Sequence, residues 1–305
     1  MKKALVTGAN GFIGSALVKE LLANDIEVIA LDREGADGNI PTNDKVRFIP
    51  FDLSSLSDVT PVLTELKPDI YYHLAWFGMN GASRSDAAIQ LKNVEWTIEA
   101  LRQSAEIGCK RFVGAGSIME YETQAAVFSQ GNRPGGAYSY GAAKLAAHTF
   151  CMVEAQKLGI EIVWAEITNA YGVGENSPRL INSTLRKIIA GETPEFTSGV
   201  QNYDFVYIDD TARAFRLIGE NGKPFCHYLI GSSKAKPLKE FILEIQRTVS
   251  PDKEFIFGNV PFTGVDLPLE TFDCSLTEKD TGFKAEIAFE DGIRRTMDWL
   301  KQSAE

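Results

Sequence analysis

Apolar and polar residues along the first half of the chain follow two periods in turn. Ala4 to Thr7 is a short apolar run of the kind found in buried strands, and Phe12 to Ala23 carries Ile13, Leu17, Val18, Leu21 and Leu22 on one side of a helix. The strand pattern returns at Glu27–Leu31, Val46–Phe51, Ile70–Ala75, Arg111–Ala115 and Ile160–Ile167, and the helical one at Leu56–Leu66, Ala87–Ile107 and Gly141–Leu158. Near-continuous apolar strands separated by helices predict a parallel sheet covered on both faces. Right-handed crossovers make that sheet doubly wound. Beyond Ala170 glycines and prolines loosen the pattern. Phe205–Ile208 and Tyr228–Ile230 read as further strands, Leu238–Val249 and Phe289–Lys301 as helices. The expected architecture is α/β: a Rossmann-like sheet domain over residues 1–172 and about 205–235, with a smaller C-terminal α/β lobe over about 173–204 and 236–305.

Composition changes this picture little. Of 305 residues, 44% are hydrophobic and 24% charged, ordinary for a globular chain. The net charge of −10, with no basic block, excludes nucleic acid and anionic membrane as expected partners. Cys109, Cys151, Cys226 and Cys274 are scattered, which predicts no metal and a reducing compartment. No stretch approaches the ~20 apolar residues of a membrane helix, and the first apolar run stops at Gly8, too soon for a signal peptide. A cytoplasmic protein is expected.

The chemistry starts at Thr7-Gly-Ala-Asn-Gly-Phe-Ile-Gly14, between the first strand and the first helix. There a pyrophosphate can sit on a helix N-terminus. Gly8 permits the tight turn, Gly11 lets phosphate approach the backbone, and Gly14 lets the helix pack close to the sheet. Asp32 ends the second strand, where a carboxylate accepts hydrogen bonds from the adenosine ribose. Arg33 next to it stacks on adenine, holds a 2′-phosphate, or is an ordinary surface arginine. NAD is therefore favoured and NADP left open. Tyr140 and Lys144 are four apart on a helix and share a face. A cation near a phenol favours phenolate, so Lys144 is expected to lower the pKa of Tyr140, preparing it for proton exchange with a hydroxyl or carbonyl. Ser117, just past the fifth strand, is placed to polarise the same oxygen.

Taken together, these residues make the chain resemble an extended short-chain dehydrogenase/reductase of the NAD-dependent epimerase/dehydratase group, which acts on nucleotide sugars. The resemblance also rests on Phe51-Asp-Leu53, His73-Leu-Ala75, Asn93, Asn169-Ala-Tyr-Gly172, Asp204–Asp209 and Gly292–Trp299. It implies that Gly8, Gly11, Phe12, Ile13 and Gly14 hold the cofactor pyrophosphate and Asp32 the ribose. Asp52 and Leu53 would border adenine, and Leu74, Ala75 and Asn93 would line the path to the nicotinamide. Tyr140 would be the acid/base, Lys144 would bind the nicotinamide ribose, Ser117 would assist at the reacting oxygen, and Asn169 would contact substrate. A homodimer through Ala87–Ile107 and Gly141–Leu158 is a further family expectation.

Three departures narrow the function. Sugar 4,6-dehydratases of the group carry an Asp-Glu pair after the catalytic Ser/Thr; here Ile118 and Met119 stand there, which argues against that activity. Glu120 and Glu122 read as polar rim residues. Where many members have Arg-Asp-Phe to grip the diphosphate, this chain has Tyr203-Asp-Phe205. Arg179 is the leading replacement, with Arg186 and Arg213 behind it. Glu166 stands where Arg often precedes the Asn, and the sequence offers no account of it. His73 reads as a core histidine, and His148 and His227 show no partner. Trp76, Phe77 and Met79 either wall the substrate cleft or pack in the core. The expected function is hydride transfer at a sugar carbon, in the first instance C4, of a nucleotide sugar, as 4-epimerase or 4-ketoreductase. A reductase of a non-sugar ketone and a non-catalytic NAD(P) sensor are the alternatives.

Overall fold

A computed structural model gives the fold and describes residues 1–303. Its centre is a parallel sheet of β1 (Lys3–Thr7), β2 (Glu27–Asp32), β3 (Val46–Pro50), β4 (Ile70–His73), β5 (Arg111–Ser117), β6 (Glu161–Ile167) and β7 (Cys226–Ile230), in the order β7-β6-β5-β4-β1-β2-β3. The helices are α1 (Phe12–Ala23), α2 (Leu56–Leu66), α3 (Ala82–Ser85), α4 (Ala87–Glu106), α5 (Met119–Val127), α6 (Tyr138–Leu158), α7 (Leu180–Ile189), α8 (Ile208–Asn221), α9 (Leu238–Val249), α10 (Ser275–Thr281) and α11 (Phe289–Gln302). Successive strand residues face opposite sides. Leu5 and Ile29 accordingly pack with Phe112 and Trp164 on one face, while Val6 and Ala30 pack with Leu17 and Phe215 on the other. A third apolar cluster, including Leu185, Phe205, Phe241 and Ile293, forms the core of the lobe beyond the C-terminal strand ends.

Strand order reverses direction of growth between β1 and β4, which opens a crevice there. Local chemistry fixes the elements beside it. Asp86 caps α4 by accepting from the Ala88 and Ile89 amides, and Gly159 ends α6 in the left-handed region.

The structure corrects the expected elements in four places. β4 stops at His73, because Leu74 and Ala75 turn over the glycine loop. Ile208 is the first residue of α8, whose face of Ile208, Ala212, Phe215 and Ile218 is buried; only Phe205–Tyr207 is strand. Short α5, α7 and α10 lie where no periodic run was legible. Finally, the boundary expected at 235 is not clean. Thr277 of α10 donates to the Leu229 carbonyl of β7 at 2.8 Å, and Phe283 is buried in the sheet core, so this stretch packs on the sheet edge.

Candidate active site

The glycine loop lies hard against its surroundings. Gly8 has φ +69°, and a Cβ on it would lie 2.8 Å from the Ala75 amide nitrogen. A Cβ on Gly14 would lie 1.9 Å from the Gly8 carbonyl oxygen. Gly11 caps α1 without a side-chain bond, so the first-turn amides are left for another acceptor. Gly8, Gly11, Phe12, Ile13 and Gly14 line a cavity of about 570 Å3. Asp32 and Asp52 stand at its far end. Asp32 accepts from the Asn10 and Arg33 amides at 2.9 and 2.8 Å, and Asp52 from Ser54, whose hydroxyl and amide hold that carboxyl below its usual range. Arg33, Leu53, Leu74 and Ala75 also face this cavity.

Asn93 does not. It is 1% exposed, accepts from the Phe77 amide at 2.7 Å and donates to the Phe77 carbonyl at 2.9 Å. Its role is to pin the Trp76–Gly78 turn, which places Trp76 in the cavity wall. His73 is the satisfied core histidine expected, hydrogen-bonded to Thr7 and Thr97, and burial pushes its pKa down to about 3.

A second cavity of about 370 Å3 adjoins the first, and Met79, Asn80, Tyr140, Glu175 and Arg179 line both. Ser117, Asn169 and Tyr203 face the second alone. Tyr140 is 5% exposed at this junction, in edge contact with Trp76. Lys144 donates to the Ala115 carbonyl at 2.7 Å and lies 3.7 Å from the Trp76 ring centre; burial pushes its pKa down to about 7, opposed by Glu120. Burial also raises the pKa of Tyr140. The cations that oppose this are first Arg84 and then Arg179, with the Ser117 hydroxyl assisting. Lys144, expected to be the cation that tunes the phenol, has its Nζ 5.9 Å from the Tyr140 ring centre.

Two joined cavities, with Tyr140 at their junction, Lys144 on the larger side and Ser117 on the smaller, suit a nicotinamide-linked oxidoreductase. A family model described as NAD dependent epimerase/dehydratase family matches residues 4–231. The chain belongs to this family. It is an NAD-dependent enzyme of the short-chain dehydrogenase/reductase type. A UDP-glucose 4-epimerase of Mycolicibacterium smegmatis is 26% identical, covering 99% of this chain and 100% of the relative. A probable dTDP-glucose 4,6-dehydratase of Sinorhizobium fredii is 27% identical, covering 99% and 93%. Among solved structures, the UDP-glucose 4-epimerase of Thermotoga maritima with UDP-glucose superposes with a TM-score of 0.83 at 20% identity, covering 99% of this chain and 100% of that one. WbmF of Bordetella bronchiseptica with NADH superposes with a TM-score of 0.82 at 22% identity, covering 99% and 93%.

The family member's first cavity fits NAD in kind. Open helix-terminal amides suit a pyrophosphate, and Asp32 suits a ribose diol. Among the candidate substitutes for the missing arginine, Arg179 faces both cavities, with only a 3.9 Å approach from Glu175. Arg186 is bonded to Asn182, and Arg213 to Asp210 and Glu286, away from the cavities. Tyr203 stacks on Phe205.

Several residues escaped the sequence. Arg84, on the one-turn helix α3, lays its guanidinium 4.1 Å from the centre of the Tyr140 ring. Glu122 faces the smaller cavity, and burial pushes its carboxyl up to about 7 against the pull of Arg84. Glu120 is no rim residue. It is 1% exposed and accepts from the Ser117 amide at 3.0 Å, the Trp164 indole at 3.1 Å and His148 at 2.9 Å. Glu166 accepts from Tyr121 and His227, both at 2.9 Å, which accounts for the residue found where an arginine is common. The signal for this network was present as unassigned Glu and His residues, but their pairing spans up to 61 positions. Trp164, which carries it, occupies space that a Cβ on Gly114 or Gly116 would enter.

Proposed function

We propose that this enzyme moves a hydride between NAD and a sugar carbon, C4 of a nucleotide sugar, as a 4-epimerase or 4-ketoreductase. The carrying observation is the placement of Tyr140 where the two cavities meet, with Ser117 beside it in the smaller one. Bound NAD supplies the hydride acceptor and donor. Tyr140 removes the hydroxyl proton during oxidation and returns it during reduction. Ser117 holds the reacting oxygen, and Lys144, beside Trp76, meets the nicotinamide ribose. The loop amides at Gly11–Gly14 and Asp32 bind the rest of the cofactor. Asn169 and Arg179 orient the substrate, Arg179 at its diphosphate. Relatives whose names are UDP-glucose 4-epimerase support the sugar-nucleotide reading.

Ile118 and Met119 offer no carboxyl for elimination of water, which supports epimerase or reductase over dehydratase. One observation favours a second reading. Glu122 faces the substrate cavity with a carboxyl near neutrality, as a proton-transfer group for elimination would. Exposed Leu91 on α4 and Phe150 and Val153 on α6 support a homodimer through these helices.

The test is a screen of UDP-, dTDP-, GDP- and CDP-sugars, and of their 4-keto forms, with wild type and Tyr140→Phe. Turnover without net loss of NADH marks an epimerase, stoichiometric loss a reductase, and a 4-keto-6-deoxy product the dehydratase. Tyr140→Phe is expected to lose about 10²- to 10⁴-fold in kcat with NAD affinity intact. Undiminished turnover by that variant would overturn the reading.

A further inference from the structure

We propose that Arg84 is the positioning residue that tunes Tyr140: its guanidinium, laid on the phenol face, stabilises the phenolate formed whenever Tyr140 has given up its proton. This rests on the assignment of Tyr140 as the acid/base. The geometry is specific. The guanidinium carbon is 4.1 Å from the ring centre, whereas Lys144 Nζ is 5.9 Å from it and is spent on the Ala115 carbonyl and the Trp76 face. A cation over an aromatic face is attracted to the ring itself, and the attraction grows when that ring carries a full negative charge. Arg84 is half-buried, and the one hydrogen bond of its guanidinium among the described residues, 3.2 Å to the Met79 carbonyl, fixes its direction without neutralising it.

Six charged groups lie around Tyr140. Arg84 comes from α3, Lys144 from α6 itself, Arg179 from the start of α7, Glu120 and Glu122 from α5, and Glu175, which approaches Arg179 at 3.9 Å, from the segment before α7. Glu120 is engaged by the Ser117 amide, Trp164 and His148, and Glu122 faces the smaller cavity under the pull of Arg84. Arg179 is solvent-exposed. Arg84 is therefore the cation in direct contact with the ring. Its neighbourhood also explains why this short helix is held in place: Gln90 of α4 donates to the Ser83 carbonyl at 2.9 Å.

The test needs no identified substrate. With NAD bound, the phenolate absorbance of Tyr140 is read across pH as the difference between each protein and its Tyr140→Phe counterpart. Arg84→Met is expected to raise the titration midpoint by about 1–3 units, the range for loss of an adjacent opposite charge, and Arg84→Lys to restore part of the shift. Once a substrate is in hand, the rising limb of the kcat profile should move by the same amount, tenfold per unit, with KM nearly unchanged. An unmoved midpoint in Arg84→Met, or a change confined to KM, would overturn the proposal while leaving Tyr140 as the acid/base. Loss of the Tyr140 assignment itself would show instead as an active Tyr140→Phe. Should Arg84→Met melt early, Arg84→Gln, which retains a donor for the Met79 carbonyl, provides the same comparison.

Discussion

The larger cavity is walled mainly by short strings of chain that follow strands, whereas the smaller one adds to such strings several side chains that converge from separate segments. Gly8 to Gly14, the Asp32 turn and the Asp52 turn are each local strings that follow a strand. Arg84, Ser117, Glu122, Tyr140, Arg179 and Tyr203 come from six separate places. The first kind of site tolerates little change in the chain itself. The second can exchange one side chain for another without moving the scaffold, and this is where the chain departs from its family at Ile118, Met119 and Tyr203.

That contrast can be broken by experiment. The largest effect is expected from Gly14→Ala, because its methyl would press into the Gly8 carbonyl. Overpacking of this kind costs about 1–3 kcal/mol, and NAD affinity should fall by roughly 10- to 100-fold along with the melting temperature. If titration calorimetry finds NAD binding untouched, the loop is not the rigid cradle described. Arg179→Met removes a charged donor worth about 1.5–3 kcal/mol, so substrate KM should rise roughly tenfold or more while NAD affinity holds. An equal loss of NAD affinity would move Arg179 to the cofactor side of the border. Asp32→Ala should weaken NAD by about tenfold, near 1.4 kcal/mol, and leave substrate KM alone.

The effect smallest at neutral pH is that of His73, and it grows as the solution is acidified. His73 is held neutral in the fold down to about pH 3, against 6.5 for the free side chain. Below pH 6.5 the unfolded chain takes up a proton that the folded one refuses. Stability is therefore complete above pH 6.5 and falls toward pH 3, by about 1.4 kcal/mol per unit. Urea unfolding at several pH values should show this slope, and His73→Gln should flatten it. Since His73 bonds Thr7 at the base of the glycine loop, the NAD cleft should lose its protection from hydrogen exchange before the lobe core does.

The same contrast governs what the sequence disclosed. The glycine loop, Asp32 and the Tyr140/Lys144 pair depend on spacing along one strand or helix, and spacing is written in the chain. The central strands and long helices were legible for the same reason, since one buried face imposes one period. Arg84 was not, because a one-turn helix has no period, and contact with Tyr140 spans 56 positions. Asn93 was assigned to the cleft, yet its buried amide braces the turn that builds it. Glu120 reads as a rim residue because its side-chain partners are remote: His148 and Trp164 reach it from α6 and β6, and only the Ser117 amide is local.

That buried carboxylate has a practical consequence. His148 lies on the helix that carries Tyr140, so α6 is fastened to the sheet by a bond to Glu120 and a stack on Trp164, neither of which involves the Tyr140 hydroxyl. Deleting that one oxygen leaves the fastening in place. Tyr140→Phe would then serve as molecular bait: expressed in cells and purified gently, it can carry out its arrested guest for mass spectrometry to weigh and name.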